Sequence, residues 1–88
     1  MNKVTFKSYD YNFKKEAKGV KNNTIRELDL NDERYKKICD WWLDEDYADK
    51  EIEIINKDFE NESFTRKIKD ISFWKNWVII TWVDEKNE

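Results

Sequence analysis

The sequence predicts a small α+β domain, built as a five-stranded, mostly antiparallel β-barrel with two helices. Short segments alternate between apolar and polar residues, which is typical of half-buried strands. Two other segments place apolar residues at helical spacing, one after each of the first two strands. Polar connections join the last three strands and suit antiparallel pairing. An open α+β sheet with both helices on one face is the alternative that this order of elements allows.

The N-terminal part of the chain contains the first strand and the first helix. Val4 and Phe6 alternate with polar residues over 1–7, which predicts a strand with one buried face. Ser8 or Asp10 can cap the helix that follows. The apolar residues of this helix recur at helical spacing, and we expect them to face the barrel: Phe13, Ala17 and Val20, joined by Tyr9 or Tyr11.

The second helix has the clearest amphipathic pattern in the chain. It follows a strand predicted over 24–28, and Asn31 can cap it. Its apolar face contains residues spaced by three and four: Tyr35, Ile38, Cys39, Trp42 and Leu43. Trp41 lies outside this face, so we expect a half-exposed side chain that covers the seam between helix and barrel. A platform for stacking a base is the alternative role for Trp41.

Three strands complete the predicted barrel. The first spans 51–54, where Ile and Glu alternate. The second spans 64–73, and its apolar phase changes near Asp70, which predicts a β-bulge there. A tight turn at 75–76 leads into 77–83, which is apolar on both faces and therefore favours a central strand covered on both sides.

Composition limits the classes of function. Residues 1–88 make one domain, and we expect 83–88 to be a frayed tail. The net charge of −3, with both signs interspersed, gives no footprint for duplex DNA but leaves room for a local basic pocket. The chain has no His and a single Cys, so we expect no metal and no cofactor. No apolar run approaches the roughly 18 residues of a membrane helix, so we expect a cytoplasmic protein without membrane contact.

Four residues from the end of the first helical pattern into the second strand combine a special backbone position with polar side chains. Gly19 is the sole glycine and falls where the first helical pattern ends, a position that favours a left-handed C-cap. Thr24 and Arg26 share one face of the next strand, and Lys21 precedes them. A cation, a hydroxyl and a guanidinium should therefore converge on a small area. An ordinary loop with a surface Lys and an ion-paired Arg is the alternative.

This spacing, Gly19-x-Lys21-x-x-Thr24-x-Arg26, resembles the signature of the ASCH domains, small barrels related to the PUA fold. The form with Thr is similar to that of the small bacterial N4-acetylcytidine amidohydrolases. The resemblance implies an ASCH-like, PUA-like barrel over 1–88 and a cleft that holds a nucleotide, a modified nucleoside or an RNA segment. Close identity is confined to the signature, and the order of elements extends the resemblance to most of the chain.

The residue types suit such a ligand. Arg26 can present a planar fork to a phosphate or a base edge, and Lys21 can contact a phosphate. Thr24 can donate one hydrogen bond to the ligand or accept one from it. Trp74 and Trp77 flank the last turn and can stack on a base, with core filling as their alternative role. We therefore expect a binding module in which these five residues, with Gly19 as a structural residue, form the site.

Amide hydrolysis is a second hypothesis, and it follows from the resemblance. In the amidohydrolases a Lys accepts a proton and a Thr is the nucleophile, roles that Lys21 and Thr24 would take, assisted by a glutamate. The family's glutamate lies in a helical insertion before the last strand, where this chain has a short turn. Glu53 and Glu62 are substitutes that the spacing does not distinguish.

A protein-interaction role is the third hypothesis. The richness in Lys, Asn and Ile is typical of an AT-rich genome, including those of phages. A small phage-encoded protein that blocks a host factor would use its barrel as a scaffold and exposed Trp residues as contacts. Such a protein needs a convex apolar patch rather than a polar cavity.

Overall fold

The computed structural model of the chain describes residues 2–83. Alternating strands and helices occupy its first half and three consecutive strands its second half. The elements, in chain order, are β1 (Lys3–Ser8), α1 (Asp10–Ala17), β2 (Asn23–Glu27), α2 (Glu33–Asp44), β3 (Glu51–Asn56), β4 (Ser63–Trp74) and β5 (Trp77–Trp82).

The five strands form one mixed sheet that curls into a half-barrel, in the order β1-β3-β4-β5-β2. β1 and β3 pair in parallel, as expected for strands joined through intervening helices, and the other three pairings are antiparallel. The order leaves β1 and β2 as the two edges of the sheet. The gap between these edges is where the candidate site forms.

The core lies inside the curve of the sheet, beneath both helices. The described strands and helices all contribute buried apolar side chains to it except β2: Val4, Phe6, Phe13, Tyr35, Ile38, Trp41, Ile52, Ile54, Ile68, Ile71, Val78, Ile80 and Trp82. β2 buries Thr24 instead. Because β2 contributes a buried hydroxyl rather than an apolar side chain, the margin of the core next to β2 is polar.

Several strand predictions are confirmed. Val4 and Phe6 are buried on one face of β1, as their alternation predicts. The register between β4 and β5 shifts between Ile68 and Asp70, which is the predicted bulge. Lys75 adopts a positive φ of 55° in the turn between these strands. The bulge therefore lies where the apolar phase of the sequence changes, and the turn lies at the predicted positions 75–76.

The prediction that β5 is covered on both faces is wrong. Val78, Ile80 and Trp82 are buried, but Trp77 is exposed and Ile79 is covered only in part. Both helices contribute their buried side chains to the inner face of the sheet, so neither shields the outer face of β5. The apolar residues of that face consequently contact solvent.

Both predicted helix caps are also wrong. Ser8 is the last residue of β1 and Asp10 is already helical, so the N-cap of α1 is Tyr9, which makes no side-chain capping hydrogen bond. Asp32 rather than Asn31 caps α2, since its carboxylate accepts a hydrogen bond from a backbone N–H two residues ahead. A run of several capping residues marks the start of a helix without selecting the one that is used.

The buried face of α2 is rotated from the prediction. Tyr35 and Ile38 are buried as expected, but Trp41 is only 6% exposed, whereas Leu43 is 69% exposed and Trp42 is 43% exposed. The buried stripe continues by a step of three to Trp41 rather than by a step of four to Trp42. Because both steps remain near one face of a helix, the spacing did not distinguish the two tryptophans.

Within residues 2–83, the longest helix is α2 with 12 residues, and neither helix has the length and apolarity needed to cross a bilayer.

Candidate functional site

A cavity of about 540 Å³ lies between the sheet edges β1 and β2, bordered by α1 and the start of α2. We call it the β1–β2 cavity. Its wall is partly polar and partly apolar, and six side chains determine its chemistry: Glu16, Lys21, Thr24, Arg26, Arg34 and Tyr35. Three of these residues are predicted from the sequence, and all three line this one cavity: Lys21, Thr24 and Arg26.

The end of α1 directs Lys21 into this cavity. Gly19 has a φ of 82°, a left-handed conformation that is most accessible to glycine. The chain then folds back, so that the backbone N–H groups of Val20 and Lys21 both donate to the carbonyl oxygen of Lys15, at 3.0 and 3.1 Å. This compact cap places Lys21 beside the last turn of the helix that precedes it. Gly19 thus has the left-handed conformation that its position after the first helical pattern favours.

Lys21 forms an ion pair with Glu16 across that cap. Its Nζ lies 3.0 Å from Glu16 Oε2, and the Glu16 side chain is only 1% exposed while that of Lys21 is 31% exposed. A carboxylate that is so deeply buried needs a compensating charge. Lys21 supplies that charge and connects it to the open side of the cavity.

Arg26 connects the two edges of the sheet. Its Nε donates to Thr24 Oγ1 at 2.9 Å, so the two side chains predicted to share a face of β2 are in direct contact. Its Nη2 donates to the carbonyl oxygen of Lys7 at 2.9 Å and to Ser8 Oγ at 3.2 Å. The guanidinium therefore spans from β2 to β1, where no backbone pairing closes the half-barrel.

Arg34 lines the cavity from the first turn of α2. Its Nη1 donates to the carbonyl oxygen of Thr5 at 2.8 Å, and its Nη2 lies 2.6 Å from a carboxylate oxygen of the cap residue Asp32. The guanidinium carbons of Arg34 and Arg26 lie 4.5 and 5.0 Å from the centre of the Phe6 ring. A buried aromatic ring thus supports two cations at the base of the cavity.

Burial, hydrogen bonds and neighbouring charges shift the pKa values of these groups. Burial lowers the pKa of Arg26, and the neighbouring Arg34 lowers it further, although Glu16 acts in the opposite direction. Hydrogen bonds to Asp32 raise the pKa of Arg34. Burial raises the pKa of the Tyr35 hydroxyl. Both guanidiniums remain charged at neutral pH, so the cavity presents two adjacent cations above an apolar ring.

The cavity is basic in a chain that is acidic overall. Five basic residues and one acidic residue line it, whereas the whole chain has a net charge of −3. Lys57 adds a cation at the rim, where its Nζ lies 4.5 Å from the centre of the Tyr9 ring. A concave surface with an excess of one sign concentrates ligands of the opposite sign. This cavity is therefore suited to an anionic ligand.

Trp74 and Trp77 lie elsewhere. They line an apolar groove with Ile25 and Ile79 on the outer face of the sheet, and neither lines the β1–β2 cavity. Ile25 contributes to both concave surfaces, because β2 separates them. The five residues predicted to share one ligand are thus divided between a polar cavity and an apolar groove.

Sequence reasoning missed three residues of the cavity. Glu16 lies on the last turn of α1 and five residues before Lys21, a separation from which the tight cap brings the two side chains together. Arg34 and Tyr35 follow the capping residue of α2. The signal that could have identified Glu16 is a Glu in the last turn of a helix followed by a Lys just after the capping Gly.

Neither carboxylate considered as a substitute lies in the cavity. Glu53 accepts a hydrogen bond from Thr5 Oγ1 at 3.0 Å, and Glu62 accepts one from Asn56 Nδ2 at 3.1 Å. The carboxylate that does accompany Lys21 is Glu16. Within residues 2–83, no group of three or more Asp, Glu, Cys or His side chains is arranged to hold a metal ion.

Comparison of the chain with protein-family models, with curated proteins and with solved structures found no match.

Proposed function

We propose that this protein is an ASCH-like binding module whose β1–β2 cavity holds a nucleotide, a modified nucleoside or a segment of RNA. The observation that supports this function most strongly is the local excess of cations in an acidic chain, placed over an aromatic ring. Phosphate groups favour the cations, and a base or ribose favours the apolar and aromatic part of the wall. The volume of about 540 Å³ lies within the range of roughly 300–1,000 Å³ that small-molecule sites occupy.

Each cationic side chain has a distinct role in this proposal. Arg34 has a side-chain exposure of 43%, so part of its guanidinium stays open to a phosphate. Lys21 is 31% exposed and can offer its remaining N–H groups to the ligand while it stays paired with Glu16. Arg26 is already engaged with Thr24 and with β1, which makes it a fixed part of the wall. Lys57 at the rim extends the positive surface toward a longer strand of RNA.

Isothermal titration calorimetry tests this function directly. Within residues 2–83, none of the Trp residues lines the cavity, so heat is a better signal than Trp fluorescence. The titrants are the nucleoside 5′-monophosphates, N4-acetylcytidine and short single-stranded RNA oligonucleotides. We expect at least one of them to bind, and Lys21→Ala to weaken that binding at least tenfold.

Lys36→Ala is the matched control. Lys36 forms an ion pair of similar length with Glu33, at 3.2 Å, on the exposed side of α2. This variant should bind like the wild type. Absence of binding by every titrant, or equal effects of the two Lys variants, would reject the β1–β2 cavity as a nucleotide site.

An amidohydrolase is the second candidate function, and the position of Glu16 favours it. The cavity contains a Lys, a Thr and a carboxylate, which are the residue types that hydrolysis of an acylated base needs in the resembling enzymes. The hydrogen bonds of the free protein run from Lys21 to Glu16 and from Arg26 to Thr24. In this candidate, a bound substrate would have to bring Thr24 and Lys21 into contact, since a Thr nucleophile needs an adjacent base.

Product analysis separates the enzyme from the binding module. Incubation with N4-acetylcytidine, followed by chromatography, should release cytidine if hydrolysis occurs, and Thr24→Val should abolish the release. Binding without cytidine release supports the module and rejects the enzyme.

A protein-interaction role is the third candidate. The exposed apolar side chains of the groove favour it, although they form a concave surface rather than the convex patch expected from the sequence. Trp74 is 61% exposed and Ile25 is 55% exposed, and together with Trp77 and Ile79 they form a surface in which an interface residue of a partner can be buried. Affinity capture with the wild type and with Trp74→Ala tests it. A partner retained equally by both proteins would exclude this groove as the contact.

A further inference from the structure

One carboxylate oxygen in the β1–β2 cavity has no hydrogen-bond partner. Glu16 Oε2 accepts from Lys21 Nζ, but Oε1 is buried and accepts no hydrogen bond within residues 2–83. The Glu16 side chain as a whole is 1% exposed, so water from the bulk does not reach it freely. An unpaired carboxylate oxygen in such a position is unusual, because buried polar atoms are nearly always paired.

The local structure holds Glu16 at the wall of the cavity. Glu16 is on the last turn of α1, and the cap around Gly19 fixes Lys21 against its other oxygen. Glu16 is one of the residues that line the cavity wall. The unpaired oxygen is closed to solvent in the free protein, so a ligand satisfies it only by displacing part of this wall and offering a hydrogen-bond donor.

Lys21 places a donor beside this acceptor. Its ammonium has three N–H groups, of which one is directed to Glu16 Oε2, and it also lines the cavity. The pair Glu16–Lys21 therefore presents an acceptor and a donor side by side. Adenine and cytosine carry the complementary pair, an exocyclic amino group next to a ring nitrogen that accepts.

We propose that the β1–β2 cavity selects nucleotides whose base carries such an amino group, with Glu16 Oε1 accepting from the amino N–H and Lys21 donating to the adjacent ring nitrogen. This proposal rests on the function proposed above, since it names the base that the nucleotide site accepts. The cations Arg34 and Arg26 take the phosphate or ribose end and set the direction in which the base enters.

The deaminated counterparts reverse the pattern. In hypoxanthine and uracil a carbonyl oxygen replaces the amino group and a ring N–H replaces the accepting nitrogen. With the sugar and phosphate held in the same direction, that carbonyl oxygen meets the carboxylate of Glu16 and the ring N–H meets the ammonium of Lys21. An acceptor then faces an acceptor and a donor faces a donor, which is the situation that a buried polar site rejects most strongly.

Two pairs of nearly isosteric nucleotides test the proposal by isothermal titration calorimetry: AMP against IMP, and CMP against UMP. We expect the amino-bearing member of at least one pair to bind ten times more tightly or better. Equal affinities within both pairs, with binding intact, would overturn the proposal and leave the nucleotide site standing. Failure of all four nucleotides, together with the RNA oligonucleotides, would overturn the nucleotide site itself.

Glu16→Gln assigns the preference to this residue. The amide keeps the shape of the side chain and can donate as well as accept, so the ratio of affinities within each pair should fall toward one. Glu33→Gln is the matched control, because it removes the carboxylate of the exposed Glu33–Lys36 pair and should leave the ratio unchanged. A thermal melt of each variant confirms that it is folded at the temperature of the titration. A preference that survives in folded Glu16→Gln would contradict the role of Glu16.

Discussion

Replacing Lys21 by Ala should destabilise the fold through the carboxylate that it leaves behind. Glu16 is 1% exposed and its Oε2 lies 3.0 Å from Lys21 Nζ. At this separation the direct attraction is about 5.5 kcal/mol with an effective dielectric constant of about 20, which sets an upper bound. Lys21 is 31% exposed, so solvent already weakens the pair. We therefore expect a loss of about 2–3 kcal/mol in the free energy of unfolding, below the roughly 3–5 kcal/mol typical when a fully buried pair is broken.

A double-mutant cycle distinguishes the stranded charge from a loss of packing. Glu16→Gln removes the buried charge and leaves Lys21 free to turn toward solvent, so it should cost less than Lys21→Ala. The double variant should likewise be more stable than Lys21→Ala alone, because no unpaired carboxylate remains.

Urea denaturation at neutral pH measures these differences in the free energy of unfolding. In a thermal melt, each kcal/mol corresponds to a Tm change of roughly 4–8 °C in a domain of this size. The exposed pair of Lys36 and Glu33 provides the control, for which we expect changes within about 0.5 kcal/mol. A Lys21→Ala variant as stable as Lys36→Ala would refute the reasoning, as would a double variant no more stable than Lys21→Ala.

Three further perturbations act on the walls of the cavity. Arg26→Lys should cost about 1–3 kcal/mol in urea denaturation, because a single ammonium nitrogen cannot replace the planar fork that reaches Thr24 from Nε and β1 from Nη2. Gly19→Ala should cost about 1–2 kcal/mol in the same assay, since it forces a Cβ into a backbone with a φ of 82°. Asp32→Ala should cost about 1 kcal/mol through the lost cap of α2. Hydrogen bonds from Arg34 lower the pKa of Asp32, so its carboxylate stabilises the fold above the usual Asp pKa, and this stability should disappear as the pH falls below about 4 in a series of thermal melts.

Each of these expectations has a result that contradicts it. A fully stable Arg26→Lys would show that a single charge satisfies β1. Unchanged stability in Gly19→Ala would mean that the cap relaxes without its left-handed residue. For Asp32, the Asn variant is the control, because it retains a capping oxygen but does not ionise. A wild type and an Asp32→Asn variant that lose stability equally on acidification would exclude Asp32 as a source of the pH dependence.

The strands could be predicted because their signal is local. Alternation over a few residues identified the buried face of β1 through Val4 and Phe6, and the change of parity near Asp70 located the bulge. These features depend on the pleat of a single strand, which repeats every two residues. The parallel pairing of β1 with β3 involves residues far apart in the chain and is set by where the helices cross, which spacing alone does not report.

The candidate site could be predicted only in part, and for a similar reason. The contact of Thr24 with Arg26 followed from strand parity, and the left-handed Gly19 followed from its place after a helix. Glu16 was missed because its partnership with Lys21 depends on the chain folding back by one turn. Trp74 and Trp77 were assigned to the same ligand as Lys21, but the strand β2 stands between the two surfaces.

The two guanidiniums that donate hydrogen bonds to β1 also limit what the protein can associate with. The carbonyl oxygens of Thr5 and Lys7 lie two residues apart on β1 and accept hydrogen bonds from Arg34 and Arg26. An edge strand whose acceptors are already engaged offers no template to an extended segment of another molecule. The half-barrel can thus remain open for a ligand while these acceptors of the β1 edge stay engaged. An anion that draws both arginines away from β1 would free these carbonyl oxygens to pair with another chain. Binding in the cavity would then favour self-association of the protein.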